Sequence, residues 1–218
     1  MGRLVDLSHV IEEGMPTYPD IPAPGIGAIL KHEESAQSYQ GKAEFWLGRF
    51  DLPGNTGTYL DAPFHRYRDG ADLSAIDLER MAAVPGVVVD PEEAAGPLRV
   101  ELEPEAIRGR AVLVRTGWDR RWGTDAYWEP GPYLSPEAVD RLVGGGPAVV
   151  GVDFANVDDT SDPARPAHTR LLGAGILIVE HLTGLEALPT EGFTFTSVPP
   201  RIVGGASFPV RAFADVVT

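Results

Sequence analysis

Four short apolar runs that alternate with helical segments constrain the fold of this chain more than any other feature. Continuous apolar runs of about four to eight residues are typical of strands buried on both faces. One predicted helix begins with Ser135 as its N-cap and Pro136 at its first position. The runs are Val84 to Asp90, Ala111 to Arg115, Ala148 to Val152 and Ile176 to Glu180, and the predicted helices are Glu103 to Arg108, Ser135 to Val143 and Pro166 to Leu172. This alternation predicts an α/β fold with a mixed β-sheet core.

Both ends of the chain carry further strand-like runs. They predict a β-layer rather than a regular doubly wound fold, with a polar loop over Glu33 to Lys42. No linker interrupts the pattern, so residues 1–218 are predicted to form a single domain. The runs are Arg3 to Ser8, Gly27 to Lys31, Ala43 to Leu52, Phe193 to Val198, Arg201 to Val203 and Phe208 to Val217.

Composition narrows the classes of function. The net charge of −14 opposes binding to nucleic acid. No run approaches the roughly 18 to 20 apolar residues that a membrane span needs, and the first ten residues lack the layout of a signal peptide, so a cytoplasmic protein without a membrane partner is expected. Because the chain contains no cysteine, any metal would have to be bound by histidine and carboxylate ligands.

The segment Gly54 to Gly70, GNTGTYLDAPFHRYRDG, is the predicted active-site loop. Its glycines permit unusual backbone angles and its proline fixes one, which is not the composition of a regular element. Asp61 and His65 place a hydrogen-bond acceptor and a titratable base four residues apart. We therefore predict that His65 is catalytic or a metal ligand, although a structural histidine is the alternative.

The other candidates are less specific from the residues alone. His168 and Glu180 lie on neighbouring predicted elements and could face one site, but a solvated histidine is the simpler interpretation of that pair. The remaining histidines, His9, His32 and His181, are interpreted as structural. The acidic loop Asp153 to Asp162 does not have the spacing of a calcium-binding loop and is interpreted as a solvated face.

The focal segment resembles the signature H-x-G-T-H-x-D-x-P-x-H of the cyclase family, which includes bacterial kynurenine formamidase and isatin hydrolase. Further segments match in order over nearly the whole chain: DLSHVIEEGMPTYPD at the N-terminus, VLVRTGW, VGVDFANVD, the His168 and Glu180 pair, and FPVRAF near the end. The resemblance implies a swivelling β/β/α fold and a metal-dependent hydrolase that opens an amide or cyclic amide bond, usually as a homo-oligomer.

In that family the first two signature histidines, the signature aspartate and a later His and Glu hold one or two divalent cations. Carried over by position, the resemblance implies that Asp61, His168 and Glu180 are metal ligands and that His65 transfers protons. This chain departs from the signature where the first two histidines are expected, because it has Asn55 and Tyr59 there. An amide oxygen and a neutral phenol are poor substitutes for imidazole, which argues against a binuclear site.

Two kinds of site follow from these substitutions. One holds a single divalent cation, Zn or Mn, on Asp61, His168 and Glu180. The other is metal-free, with Tyr59 and Asn55 donating hydrogen bonds to an oxyanion and His65 as the base.

The leading hypothesis is a hydrolase for an amide, cyclic amide or lactone bond in a small aromatic or cyclic substrate. Catalysis is assigned to His65 and Tyr59, and substrate binding to Asn55, Trp46 and Phe64, with Phe45 and Trp118 as further candidates to line the pocket. The alternatives are a metal-independent lyase, cyclase or dehydratase that uses His65 and Tyr59, and a non-catalytic ligand-binding relative. A homodimer or homotetramer is expected from the resemblance.

Overall fold

The computed structural model describes residues 2–101 and 103–217. In this part of the chain no helix is both long enough and apolar enough to cross a bilayer. The described strands are β1 (Arg3–Asp6), β2 (Gly25–Leu30), β3 (Leu47–Asp51), β4 (Tyr59–Asp61), β5 (Val84–Val89), β6 (Gly96–Leu98), β7 (Ala111–Val114), β8 (Pro132–Leu134), β9 (Val149–Val152), β10 (Leu177–Glu180), β11 (Phe193–Thr196), β12 (Ser207–Pro209) and β13 (Phe213–Val216). The described α-helices are α1 (His32–Ser38), α2 (Pro104–Ile107), α3 (Pro136–Gly145) and α4 (Pro166–Gly173).

Nine strands form one mixed sheet in the order β1-β13-β11-β5-β7-β9-β10-β4-β12. Its centre, β5-β7-β9-β10, is parallel, and helices connect these strands as the alternating pattern predicts. Antiparallel strands continue the sheet on both sides. The sheet curls, so that the segment after β1 meets the segment after β10: Thr183 N donates to Leu7 O at 3.1 Å, and Ser8 forms a bridge with Leu182.

The two faces of the sheet are covered differently. From β7, Val112 and Val114 belong to a core with Leu142 of α3. The alternate residue Leu113 belongs to a second core that includes Phe195 of β11, so part of the curled sheet covers this face. The result is two β-layers and one helical layer, which confirms the predicted α/β fold with a mixed sheet.

Three local predictions are wrong. The polar segment predicted as a loop over Glu33 to Lys42 begins as helix α1, whose acidic first turn suits the positive end of the helix dipole. Arg201 to Val203 is not a strand, because it lies between a Pro-Pro and a Gly-Gly pair and leads into a turn. The focal segment, predicted as a loop, contains the short buried strand β4.

Residues 25–51, here called the arm, stand apart from the rest of the fold. Strands β2 and β3 pair only with each other, as a two-stranded ribbon outside the large sheet, and α1 connects them. Of the arm's residues, all of which are described, Ser35 alone is buried. The arm is therefore a folded segment with almost no core of its own.

Candidate active site

Strand pairing around β4 brings four polar side chains to one face of the sheet. β4 lies between β10 and β12, with Tyr59 opposite Glu180 and Asp61 opposite Ser207. Directly opposed residues project to the same face, and so do residues two apart on one strand. This register places Tyr59 and Asp61, both from the segment between Gly54 and Gly70, next to Glu180 and Ser207 on one face of the sheet.

Asp61 is fully buried at the centre of this group. Its Oδ1 accepts a hydrogen bond from Ser207 Oγ, while its Oδ2 is buried and has no hydrogen-bond partner among the described residues. His65 follows on a 3-10 turn over Pro63–His65, and its Nδ1 lies 3.1 Å from Ser207 Oγ and 3.7 Å from Asp61 Oδ1. The side chain of His65 is 34% exposed, so the site opens to solvent at this histidine.

His168 completes the cluster from the first turn of α4. Its Nδ1 lies 2.6 Å from Asp158 Oδ2, and the same carboxylate accepts hydrogen bonds from the backbone N–H groups of Ala167 and His168. This arrangement turns Nε2 inward, to 3.7 Å from Asp61 Oδ2 and 3.8 Å from Glu180 Oε1. Burial lowers the pKa of His168, but the hydrogen bond to Asp158 and the nearby charges of Asp61 and Glu180 outweigh burial and raise this pKa.

Glu180 has a donor on each carboxylate oxygen. Tyr59 Oη donates to Oε2, and Val157 N donates to Oε1 at 2.8 Å. Burial raises the pKa of Glu180, and the charge of His168 opposes this effect. Burial and the charge of Glu180 raise the pKa of Tyr59 well above its usual value, so its phenol stays neutral and acts as a donor.

Two buried aspartates in the acidic loop correct its interpretation as a solvated face. Asp158 orients His168, and Asp153 accepts hydrogen bonds from Thr116 Oγ1 at 2.6 Å and Gly117 N at 2.7 Å. For Asp153 the available signal was its position directly after the buried strand β9, because buried polar groups at the ends of strands are usually paired; Asp158 lies further along the loop and had no such signal. Ser207 was also missed, since its register opposite Asp61 cannot be read from local sequence.

An aromatic cluster lies behind Tyr59 and Glu180. The buried imidazole of His181 packs against Tyr18, Tyr59, Trp122, Tyr127 and Trp128, with ring centroids between 5.3 and 5.7 Å away. Burial lowers the pKa of His181 to about 3, so it is neutral. Tyr18 connects the cluster to the acidic loop, since it accepts a hydrogen bond from Asn156 Nδ2 at 2.9 Å.

The sequence-predicted substrate-binding residues are dispersed. Asn55 and Phe64 are half-buried on the segment that carries Asp61 and His65. Trp118 is buried and donates from Nε1 to Tyr127 O at 3.1 Å. Trp46 and Phe45 lie on the arm, each more than half exposed, with Trp46 beside His32 and Phe45 beside Tyr39. By contrast, the structure brings together the residues predicted to be catalytic or to bind metal: Tyr59, Asp61, His65, His168 and Glu180.

The donor set fits a divalent cation. Asp61, His65 and His168 each offer one ligand atom within 4.8 Å of the others, and Glu180 Oε1 lies next to His168 Nε2. Asp61 Oδ2 is buried without a hydrogen-bond partner among the described residues, and a bound cation would compensate its negative charge. A carboxylate bound to the far nitrogen of a ligating histidine, as Asp158 is to His168, is typical of metal sites.

A curled mixed sheet with one helical layer carries a buried cluster of carboxylates and an imidazole beside a partly exposed histidine, a donor set of the kind that can hold a catalytic metal ion. The chain belongs to the family described as "Putative cyclase", whose model matches residues 5–159.

Named relatives are similar to this chain in sequence and structure over most of its length. A kynurenine formamidase of Salinibacter ruber is 30% identical over 212 residues, which cover 96% of this chain and 95% of the relative. An isatin hydrolase of Roseibium aggregatum is 29% identical, with 82% and 78% covered. The solved structure of isatin hydrolase A from Ralstonia solanacearum superposes with a TM-score of 0.83 at 28% identity and covers 99% of this chain and 92% of that chain. These relatives confirm the predicted family and the prediction of a hydrolase for carbon–nitrogen amide bonds.

Proposed function

We propose that this chain hydrolyses an amide bond in a small aromatic or cyclic substrate, with His65 as the general acid and base. The observation that carries the proposal is the juxtaposition of a buried Asp61 and His168 pair with the partly exposed His65. Support for the substrate class comes from relatives named kynurenine formamidase and isatin hydrolase. A homo-oligomer is also proposed.

The contact with Ser207 favours one tautomer of the His65 imidazole. Because the Ser207 hydroxyl donates its one hydrogen bond to Asp61, its oxygen accepts in the contact with His65, and the Nδ1–H of His65 is assigned as the donor. Nε2 then carries the lone pair that accepts a proton from the attacking water. The protonated imidazole returns this proton to the leaving nitrogen, which is the usual exchange of roles in general acid–base catalysis.

Asp61, His168 and Glu180 would hold one divalent cation. When bound, such a cation polarises a carbonyl oxygen and lowers the pKa of a bound water. Asp158 keeps the inward nitrogen of His168 available, and Val157 N fixes the orientation of Glu180. His65 also offers a ligand atom, but its exposed position favours contact with substrate, and proton transfer is its proposed role.

Tyr59 is proposed to position Glu180 rather than to contact substrate. It is only 1% exposed, and its hydroxyl donates to Glu180. A metal-free lyase that uses Tyr59 and His65 as an acid and base pair would need this proton to reach the substrate. The hydrogen bond to Glu180 and the raised pKa of the phenol both oppose that role.

The test combines metal analysis with an activity assay. Protein purified without chelator is expected to contain one equivalent of a divalent cation and to hydrolyse isatin or an N-formylated aromatic amine. A chelator should abolish hydrolysis, and added Mn²⁺ or Zn²⁺ should restore it. Absence of hydrolysis on every amide tried would reject the proposed activity, whereas chelator-resistant hydrolysis by metal-free protein would reject the cation alone.

A further inference from the structure

A proline-rich segment near the N-terminus packs against the aromatic cluster. Residues 10–24, here called the strap, contain no helix or strand, and Pro24 is the only one of them that is buried. Among the described residues, the backbone groups of the strap hydrogen-bond only within the strap, as Gly14 N does to Pro24 O at 3.0 Å. The strap therefore depends on side-chain contacts to keep its place on the fold.

Tyr18 is the residue that attaches the strap. Its ring packs edge-on against Trp128 and His181, with ring centroids 5.2 and 5.6 Å away. Its hydroxyl donates a hydrogen bond to Ala155 O and accepts one from Asn156 Nδ2 at 2.9 Å. In the part of the chain that the structure describes, every hydrogen bond between the strap and the remaining residues is made by this hydroxyl.

Asn156 connects the attachment point to the acidic loop. An amide side chain can donate and accept hydrogen bonds at the same time. Asn156 uses both groups, because Nδ2 donates to Tyr18 and Oδ1 accepts from Asp158 N at 2.9 Å. The second of these bonds closes a local turn, which fixes the direction in which the backbone leaves Asn156. The Tyr18 hydroxyl therefore restrains the same side chain that shapes this turn.

The two residues after Asn156 each hold one of the predicted metal ligands. Val157 N donates to Glu180 Oε1 at 2.8 Å, and Asp158 Oδ2 lies 2.6 Å from His168 Nδ1. A rotation of the backbone at Asn156 would move both contacts, because they come from consecutive residues of one turn. Hydrogen bonds in a chain of this kind also reinforce one another.

We propose that Asn156 is a positioning residue, which transmits the attachment of the strap through Tyr18 to the orientation of His168 and Glu180. When the strap is detached, Asn156 loses one of its two partners and the turn loosens, so both side chains lose their fixed orientation. The proposal rests on the proposed function for the role of His168 and Glu180 as cation ligands. The coupling itself is a property of the hydrogen bonds and is tested without a reaction.

Hydrogen exchange measures the coupling at its two ends. Tyr18→Phe keeps the ring and removes the hydroxyl, so the amides of the strap and those of Val157 and Asp158 should exchange about 2- to 30-fold faster. Tyr127→Phe is the matched control, because Tyr127 is a buried tyrosine of the same cluster whose hydroxyl has no partner among the described residues. It should leave both segments as in the wild type. Unchanged exchange at Val157 and Asp158 in Tyr18→Phe, or an equal increase in both variants, would overturn the proposal.

The orientation of His168 is measured by the nitrogen NMR shifts of its ring, which report the tautomer and the hydrogen bond at Nδ1. Tyr18→Phe should shift or broaden the Nδ1 signal, whereas a purely structural loss of stability would not move it in a folded chain. In a double-mutant cycle with Asn156→Ala, Tyr18→Phe should add no further change, because its effect passes through Asn156. The same added change on the Asn156→Ala background would show that Tyr18 acts by another route and would reject the proposal.

The outcomes also separate this proposal from the proposed function, because neither measurement uses a substrate. Absence of hydrolysis on every amide tried, together with the expected exchange and ring shifts, would reject the reaction and leave the coupling in place. Wild-type exchange and ring shifts in a Tyr18→Phe variant that hydrolyses amides would reject the coupling alone.

Discussion

Tyr59 and Glu180 are cross-strand partners in β4 and β10, and the Tyr59 hydroxyl donates a hydrogen bond to the Glu180 carboxylate. The cyclase signature has a histidine at the position of Tyr59, so a neutral donor stands where a metal-binding imidazole is expected. The hydrogen bond stabilises the buried Glu180 carboxylate without an ion. The resulting site differs from the one that the family resemblance implies.

This substitution predicts a change in metal stoichiometry. Restoring imidazoles with the double variant Asn55→His and Tyr59→His is expected to raise the bound divalent cation from one to two equivalents per chain, measured by elemental analysis after equilibrium dialysis. Tyr59→Phe is the control and should stay at one, because it removes only a donor. A stoichiometry of one in the double variant would contradict the prediction.

Replacing His65 with alanine is expected to lower kcat by at least about a hundredfold, because the general acid and base is lost. The free energy of unfolding should change little, since the side chain is 34% exposed. His32→Ala, at an exposed histidine of the arm, should retain the wild-type kcat. Wild-type turnover in His65→Ala would remove this residue from the mechanism.

Asp158→Asn should weaken cation binding by about ten- to a hundredfold in titration calorimetry, because His168 loses the carboxylate that orients it. It should also lower the free energy of unfolding by about 1–3 kcal/mol, since an amide nitrogen replaces an acceptor of buried N–H groups. Asp159→Asn is the matched control, because the Asp159 carboxylate accepts hydrogen bonds from the backbone N–H and the hydroxyl of Ser161 and does not contact His168 in the part of the chain that the structure describes. Equal cation affinities in the two variants would refute the role of Asp158.

Gly70→Ala is expected to reduce both activity and thermal stability. A Cβ at this position would lie 2.6 Å from the carbonyl carbon of Pro63 and 2.8 Å from Phe64 N, so the turn that carries His65 would have to move. Gly144→Ala is the control, since a Cβ there meets nothing within 4 Å and alanine favours the helix by roughly 0.5–1 kcal/mol. If Gly70→Ala had wild-type kcat and melting temperature, the close packing of this turn would be irrelevant to the site.

His9 predicts how stability depends on pH. Burial lowers its pKa to about 4, with opposition from Asp119, and its ring stacks on Trp122 at 3.9 Å. The unfolded chain, with an ordinary pKa near 6.5, therefore binds more protons than the folded chain between these two values, so stability falls as the pH drops through this window.

Protonation of His9 in the unfolded chain should lower the free energy of unfolding by up to about 1 kcal/mol for each pH unit in this window, after allowance for the exposed part of the ring. Denaturant unfolding of His9→Phe, which keeps the stack on Trp122, should show a smaller loss between pH 6.5 and pH 4 than the wild type does. His32→Gln, at an exposed histidine, should follow the wild type. An unchanged slope in His9→Phe would show that His9 does not titrate on unfolding.

The sequence predicted the central strands because each was a continuous apolar run, and Ser135 capped α3 as expected, with its Oγ accepting a hydrogen bond from Ala138 N at 3.1 Å. Asp61 and His65 were recognisable because they lie in one short segment. Ser207 was not, because its relation to Asp61 arises from the pairing of β4 with β12. The burial of Asp158 likewise depends on where α4 begins, and local sequence does not determine that position.

The position of β12 next to β4 determines when the site can form. Asp61 and Ser207 are 146 residues apart in sequence, yet they share a hydrogen bond. Contacts of such long sequence separation form late, because the loop between them must first be closed. During synthesis, the candidate active site around Asp61 can therefore be completed only after β12, near the end of the chain, has been made. A nascent or C-terminally truncated chain that lacks β12 would already contain Asp61, His65, His168 and Glu180 but would leave Asp61 without its serine partner.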